Sequence, residues 1–209
     1  MNNTKADSAH SKQWKYNSKE RFNSYWHQLD ELVQLSPNTI LEIGKGSGLV
    51  SSYLQNAGFS LTSIDILPSL GPDVIADAVS LPFPDNTFDM AACFQVLEHL
   101  PYELFVPTLT EISRVVRTCL VISLPDYSHF IRYDLRLPQF HSRRLVSFNR
   151  IIPLRQPRVY REHFWEIGVT NHTTQRIQAD IEKSGFQVTS TYRVFENPSH
   201  RFFILHLSD

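Results

Sequence analysis

The chain has 209 residues, 42% of them hydrophobic, with 20 lysines and arginines against 21 aspartates and glutamates. That is enough to bury one full core and too little for two domains of ordinary size. A formal net charge of −1 excludes a global field that would recruit nucleic acid or an anionic membrane, so any such partner must be met locally.

Residues 1–18 are polar, have no apolar run after a basic start, and are expected to be loosely ordered ahead of a single domain over 19–209. No stretch approaches the roughly eighteen apolar residues of a membrane span. Cys93 and Cys119 both fall in apolar runs and read as core thiols of a reducing compartment. A cytoplasmic protein without a transmembrane segment is expected.

Phe22, Tyr25, Trp26, Leu29, Leu32 and Val33 recur at helical spacing until Ser36 and Pro37 stop them. "TILEI" (39–43) reads as a strand, 49–58 as a helix ended by Gly58, and "SLTSIDI" (60–66) as a second strand. "DVIAD" (73–77) is a third and "FDMAACF" (88–94) a fourth. Pro101 then precedes a helix whose face carries Phe105, Leu109, Ile112 and Val116, and "CLVISLP" (119–125) is the fifth strand. Strands alternating with helices predict a parallel sheet covered on both faces. After a helix over about 173–184, "FQVTSTYRVF" and "HRFFILHL" are separated only by "ENPS", a link that permits only an antiparallel pair.

The chemistry gathers at "LEIGKGSG" (41–48). A P-loop needs its lysine before Ser or Thr, whereas Lys45 precedes Gly46; a dinucleotide fingerprint needs a third glycine at 49, where Leu49 stands. A carboxylate just ahead of the loop, Glu42, also suits an ammonium or sulfonium better than a pyrophosphate. The pattern Glu42-x-Gly44-x-Gly46-x-Gly48 resembles the first motif of the class I S-adenosylmethionine-dependent methyltransferases. Asp65 at the end of the second strand and "IADAVSLPFPDNTFDMAACFQVLEHLP" (75–101) continue the resemblance, which covers 39 to about 125 closely and 172–207 in layout. It is nearest to the small-molecule enzymes of the ubiquinone and menaquinone biosynthesis type.

The resemblance implies a Rossmann-like, doubly wound, seven-stranded sheet with an antiparallel C-terminal hairpin strand. It implies S-adenosylmethionine as donor, held by Glu42, Gly44, Lys45, Gly46 and Gly48, by Asp65 and Ile66, by Asp77 and Ala78, and by Phe94 and Gln95. Asp65 would accept from the ribose hydroxyls, Asp77 from the adenine amino group, and Phe94 and Gln95 would line the methionine part. Some relatives hold a metal through a Glu-x-x-Glu-His set; Gln95 replaces its first glutamate, leaving Glu98 and His99, and no metal is expected. The implied reaction is methyl transfer to a small-molecule acceptor, most simply at oxygen; RNA methylation and a non-catalytic cofactor-binding module are the alternatives. The strand exit "FQVLEH" lacks the Asn/Asp-Pro-Pro-aromatic set for base amino groups, so no nucleic-acid partner is expected.

An oxygen acceptor gains from a base, for which His99 and His163 are the candidates. His163 lies in an insertion over about 126–171 that contains Pro138, Pro153 and Pro157, shows no clear period and reads as a lid. Tyr160, Glu162, Trp165 and Glu166 would shape an acceptor pocket, or Phe164 and Trp165 would only anchor the lid. Arg132, Arg136, Arg143, Arg144, Arg150, Arg155, Arg158 and Arg161 in the same insertion point to an anionic acceptor or a partner surface.

Overall fold

The computed structural model describes residues 18–148 and 162–208. The expected first helix is α1 (Lys19–Leu35), whose N-terminal N–H groups are met by Ser18 Oγ accepting from Arg21 N at 3.3 Å. Then follow β1 (Thr39–Ile43), α2 (Leu49–Asn56), β2 (Ser60–Asp65), a short β3 (Val74–Ile75), β4 (Phe88–Phe94), α3 (Phe105–Val115) and β5 (Val116–Pro125). Val116, expected on the helix face, instead opens β5. After the insertion come α4 (Thr174–Glu182), β8 (Phe186–Arg193) and β9 (His200–Leu207).

These strands form one seven-stranded sheet in the order β3-β2-β1-β4-β5-β9-β8. The first five pair in parallel, and β9 runs antiparallel to both β5 and β8, as the short link between β8 and β9 requires. Strand order reverses between β1 and β4, and at such a switch point the carboxyl ends of two neighbouring strands open a crevice between their loops.

Alternation along the central strands divides the core into two layers. Ile40, Met90, Ala92, Cys119 and Val121 face α1 and α2, where Leu32, Val50 and Leu54 cover them. Leu41, Ala91, Cys93, Leu120 and Ile122 face the opposite layer, where Phe105, Leu109 and Ile112 of α3 and Ile177 and Ile181 of α4 pack. Both cysteines are free and buried, one in each layer. No helix among the described residues is long and apolar enough to cross a membrane.

The insertion is not aperiodic. It contains a two-stranded antiparallel sheet, β6 (His129–Leu137) and β7 (Phe140–Phe148), turning at Pro138 and Gln139. Ile131, Tyr133, Leu135 and Leu137 alternate with Arg132, Asp134 and Arg136, which is a strand period, but the apolar members stay exposed instead of meeting the core. The ends of the insertion are stitched together. Tyr127 N donates to Ile167 O (2.8 Å), Ile167 N to Pro125 O (3.0 Å), and Gly168 lies so close to the Ser128 backbone that a Cβ would collide with it. Residues 1–17 and the insertion positions Arg150, Pro153, Arg155, Pro157, Arg158, Tyr160 and Arg161 lie outside the described residues.

Candidate active site

At the switch point lies a cavity of about 560 Å³. One side of its wall comes from Glu42 and the loops after β1, β2 and β3, and Phe94 and Gln95 adjoin it at the exit of β4; every residue singled out as donor-binding except Gly48 lines the cavity. The loop after β1 is bare for distinct reasons. Gly44 sits at φ +82° with Val96 where its Cβ would be, whereas Gly46, at φ +54°, has nothing within 4 Å of that position. Gly48, at φ +71°, caps α2.

Glu42 is buried beneath this loop, and its Oε2 has no hydrogen-bond partner. Burial pushes its pKa up to about 7, with the Ser51 hydroxyl and the Lys45 ammonium pulling the other way. Asp65 accepts from Gly46 N (3.3 Å) and Leu67 N (2.9 Å), which fixes its carboxylate at the end of β2 with lone pairs to spare. Asp77 is held by Val79 N at 3.1 Å, and Lys45 Nζ reaches Gly71 O. Glu42, Asp65 and Asp77 make this half acidic, and an unsatisfied buried carboxylate oxygen suits a ligand that brings an ammonium or sulfonium. The residues therefore fit S-adenosylmethionine.

Gln95 leaves β4 at φ +56°, a left-handed conformation costly for a side-chain-bearing residue, held by Gln95 N to Ser123 O (3.0 Å) and Gln95 Nε2 to Ser123 Oγ (3.3 Å). The turn that follows carries Glu98 and His99. His99 lines the cavity, and its Nδ1 lies 2.8 Å from Glu162 O. A carbonyl only accepts, so Nδ1 carries a proton, and in the neutral ring it is Nε2 that has the lone pair.

His163 is absent from the cavity wall. It stands edge-on behind His99 (ring centroids 4.8 Å apart), its Nδ1 2.6 Å from Oε1 of the buried Glu166. Burial disfavours charge on His163, but the bond to Glu166 and the nearby Glu98 and Glu162 outweigh it and raise its pKa. Glu98 is fully buried with neither carboxylate oxygen hydrogen-bonded, and burial pushes its pKa up to about 8. Ligand atoms of Glu98, His99 and His163 lie within 4.8 Å of one another, a set able to take a divalent ion. The sequence reading counted only Glu98 and His99 after Gln95, because His163 arrives from the far end of the insertion.

Trp165 anchors that end: it is buried against Phe105 and Tyr102, and its Nε1 donates to Leu100 O at 3.1 Å. Phe164 points to solvent, 63% exposed. The described insertion arginines face elsewhere. Arg132 donates to Phe195 O, Arg136 pairs with Asp134, Arg143 with Glu196, and Arg144 with Arg143 O. Instead, the cavity is also lined by Arg21, Tyr25 and Gln28 of α1, by Phe94, and by His200 at the start of β9, and the Tyr25 hydroxyl lies 3.4 Å from Ser47 Oγ of the glycine loop. Sequence reading missed Arg21, Gln28 and His200. The helical stripe signalled only the apolar face of α1, and nothing local marks the first residue of a C-terminal strand as part of a site.

Residues 41–119 match the methyltransferase domain family. The chain is 26% identical over 142 residues to a ubiquinone biosynthesis O-methyltransferase of Pseudomonas entomophila, covering 60% of this chain and 57% of that protein. It is 31% identical over 127 residues to a 2-methyl-6-phytyl-1,4-hydroquinone methyltransferase of Synechocystis, covering 54% and 38%. The chain thus spans little more than half the length of the first of these relatives. Among solved structures, the 1,6-didemethyltoxoflavin-N1-methyltransferase of Burkholderia thailandensis, with bound S-adenosylhomocysteine, superposes with TM-score 0.61 at 16% identity over 98% of this chain and 85% of that one. An S-adenosylmethionine-dependent methyltransferase of Clostridium acetobutylicum gives 0.62 at 9% identity over 98% of both. The matched segment runs from β1 into β5 and carries loops that line the cavity, and the sheet around it has the neighbours' fold: residues 41–119 have the sequence of a methyltransferase domain, within a chain that folds like S-adenosylmethionine-dependent methyltransferases.

Proposed function

We propose that the protein transfers a methyl group from S-adenosylmethionine to an oxygen of a small-molecule acceptor, in the cytoplasm. The observation that carries this reading is the cavity itself, with buried Glu42 and the bare glycine loop on one side and the lone pair of His99 on the other. When bound, S-adenosylmethionine supplies a methyl already activated on a sulfonium, so transfer is an in-line displacement governed chiefly by positioning.

In this reading Glu42 draws the donor's positive end beneath the loop, Asp65 accepts from its ribose, and Asp77 and Ala78 meet the adenine. Phe94 and Gln95 line the methionine part, and Lys45 and Ile66 close the rim. His99 Nε2 takes the proton of the acceptor hydroxyl as the oxygen attacks. The Glu162 carbonyl keeps the ring in the tautomer that leaves Nε2 basic. His163, fixed by Glu166, is a positioning residue that buttresses His99. The return of the insertion supplies Glu162 and so closes one side of the acceptor end, as a lid would. The acceptor is small and carries an acidic group.

Calorimetric titration with S-adenosylhomocysteine, against NAD and ATP, tests the donor half. Binding of the first alone is expected, and binding of NAD alone would end the reading. Labelled-methyl transfer into a metabolite extract tests turnover. His99→Asn should lower it by about 10²–10⁴-fold while S-adenosylhomocysteine still binds. His163→Ala should lower it less and shift its pH profile; unchanged turnover in both variants would remove the base assignment.

A further inference from the structure

The β6–β7 ribbon has two faces of opposite character, and its register fixes which residue belongs to which. On one face Phe130, Arg132, Arg143 and Ser147 meet the body of the molecule. Arg132 donates to Phe195 O at 2.9 Å, Arg143 pairs with Glu196, and the Arg193 guanidinium lies over the Phe130 ring and donates to Ser147 Oγ at 3.1 Å. The other face therefore points away from the large sheet. It carries Ile131 opposite Val146, Tyr133 opposite Arg144, Leu135 opposite Ser142 and Leu137 opposite Phe140. Its six apolar side chains are 46% to 62% exposed among the described residues.

We infer that this outer face is the interface of a homodimer, in which the ribbon of a second copy of the chain packs on it across a twofold axis. A two-stranded ribbon with an open apolar face is marginal in water by itself. Here the contacts of the inner face hold the ribbon in place while leaving the outer one open. At about half exposure the six side chains present roughly 600 Å² of apolar surface, the top of the range that a monomer ordinarily leaves bare. Two copies would bury roughly 1,200 Å² between them, which reaches the size of a specific, stable interface.

The pattern on the face selects a second copy over other occupants, because it is complementary to itself. A twofold axis running across the strands, between the level of Tyr133 and that of Leu135, lays β6 on the partner's β6 and β7 on its β7 with directions reversed. Ile131 then faces the partner's Leu137, Tyr133 the partner's Leu135, and Val146 the partner's Phe140. The two polar positions also fall on each other, Arg144 facing the partner's Ser142, so no charge is set against an apolar side chain. Arg144 uses one N–H on Arg143 O at 2.9 Å, which leaves others for the hydroxyl oxygen of the partner's Ser142. The acyl region of a bilayer has no acceptor for a guanidinium in the middle of this face.

Sedimentation equilibrium of the full chain at micromolar concentration tests this, and the wild type is expected to be dimeric. Leu135→Asp should weaken association about a hundredfold or more, because the twofold places the change in the interface twice. The position is exposed, and an unchanged circular dichroism spectrum reports that the variant is folded. Cysteines test the axis. Ile131 and Leu137 lie about 20 Å apart along one strand, too far for a disulfide within one chain. Mild oxidation of the chain carrying both Ile131→Cys and Leu137→Cys should therefore give a covalent dimer, and Ile131→Cys alone should not. A monomeric wild type overturns the proposal, whether it stays free or floats with vesicles of phosphatidylglycerol and phosphatidylcholine. So does a dimer that Leu135→Asp leaves intact, or one in which the two cysteines cross-link no better than Ile131→Cys alone. No ligand is added, so the outcome is separate from that of the donor and acceptor assignments.

Discussion

Glu42 joins sequence, burial and ligand chemistry in a single side chain. As the last polar residue of β1 it lies under the glycine loop, where its pKa of about 7 leaves it poised between neutral and charged. A positively charged ligand needs the charged form. Between pH 6 and 7.5 the ionised fraction of such a group rises from roughly a tenth to roughly three quarters, so the affinity for S-adenosylhomocysteine, through its ammonium, should rise about eightfold. Titration calorimetry across that range checks it, and a flat profile would mean that Glu42 is charged throughout. The acidic-x-Gly-x-Gly-x-Gly spacing made this residue legible, because a bare loop after a buried strand is a local feature. The contact that forbids a side chain at Gly44 was not legible, since Val96 belongs to the turn after β4.

At the scale of elements, the most instructive piece is the insertion. Asp126 is fully buried at its root, accepting from Arg201 Nε at 2.6 Å and from Ser128 N at 2.8 Å. Arg193 spans to Asp126 O, Ser128 O and Ser147 Oγ, with its guanidinium over the Phe130 ring. This network ties β6 and β7 to β8 and β9. Asp126→Ala leaves two largely buried guanidiniums without their carboxylate and should cost about 3–5 kcal/mol in urea unfolding. A loss under about 1 kcal/mol would mean that water replaces the carboxylate. The helices α1 and α3 were legible from their 3.6-residue stripes, and the β8–β9 pairing from the length of its link. The β6–β7 hairpin escaped because its apolar alternation is not matched by burial, and charged residues between the apolar ones made the composition look irregular.

For the molecule as a whole, stability against pH sums groups whose environment the complete fold creates. Glu98 is the clearest. Folded, it holds its proton up to about pH 8; unfolded, it releases it near 4.5. Between these values the folded state binds the extra proton, so this group's contribution is fully present below pH 4.5 and is lost as pH rises toward 8. His200 acts in the other sense at lower pH. With its folded pKa pushed down to about 4, below the ordinary 6.5, its neutral form stabilises above pH 6.5, and that contribution is lost as pH falls toward 4. Glu98→Gln, which removes the titration, should raise the melting temperature in metal-free buffer more at pH 9 than at pH 5, reflecting a few kcal/mol of relieved desolvation. An equal effect at both values would show that a partner compensates Glu98 in its charged form.

By themselves, the residues determined everything that depends on short spacing: the alternation of strands and helices, the antiparallel end of the sheet, the glycine loop and the acidic residues that follow the strands. These features arise from backbone geometry and hydrophobic period within a dozen residues. Only the tertiary structure decided that Arg21, Gln28 and His200 line the cavity and that His99 pairs with His163. Arg21, His163 and His200 come from opposite parts of the chain and meet because the sheet order sets β1 beside β4 and β5 beside β9. No local pattern encodes such a meeting. It is a consequence of which strands neighbour one another, and that is settled by packing the whole core.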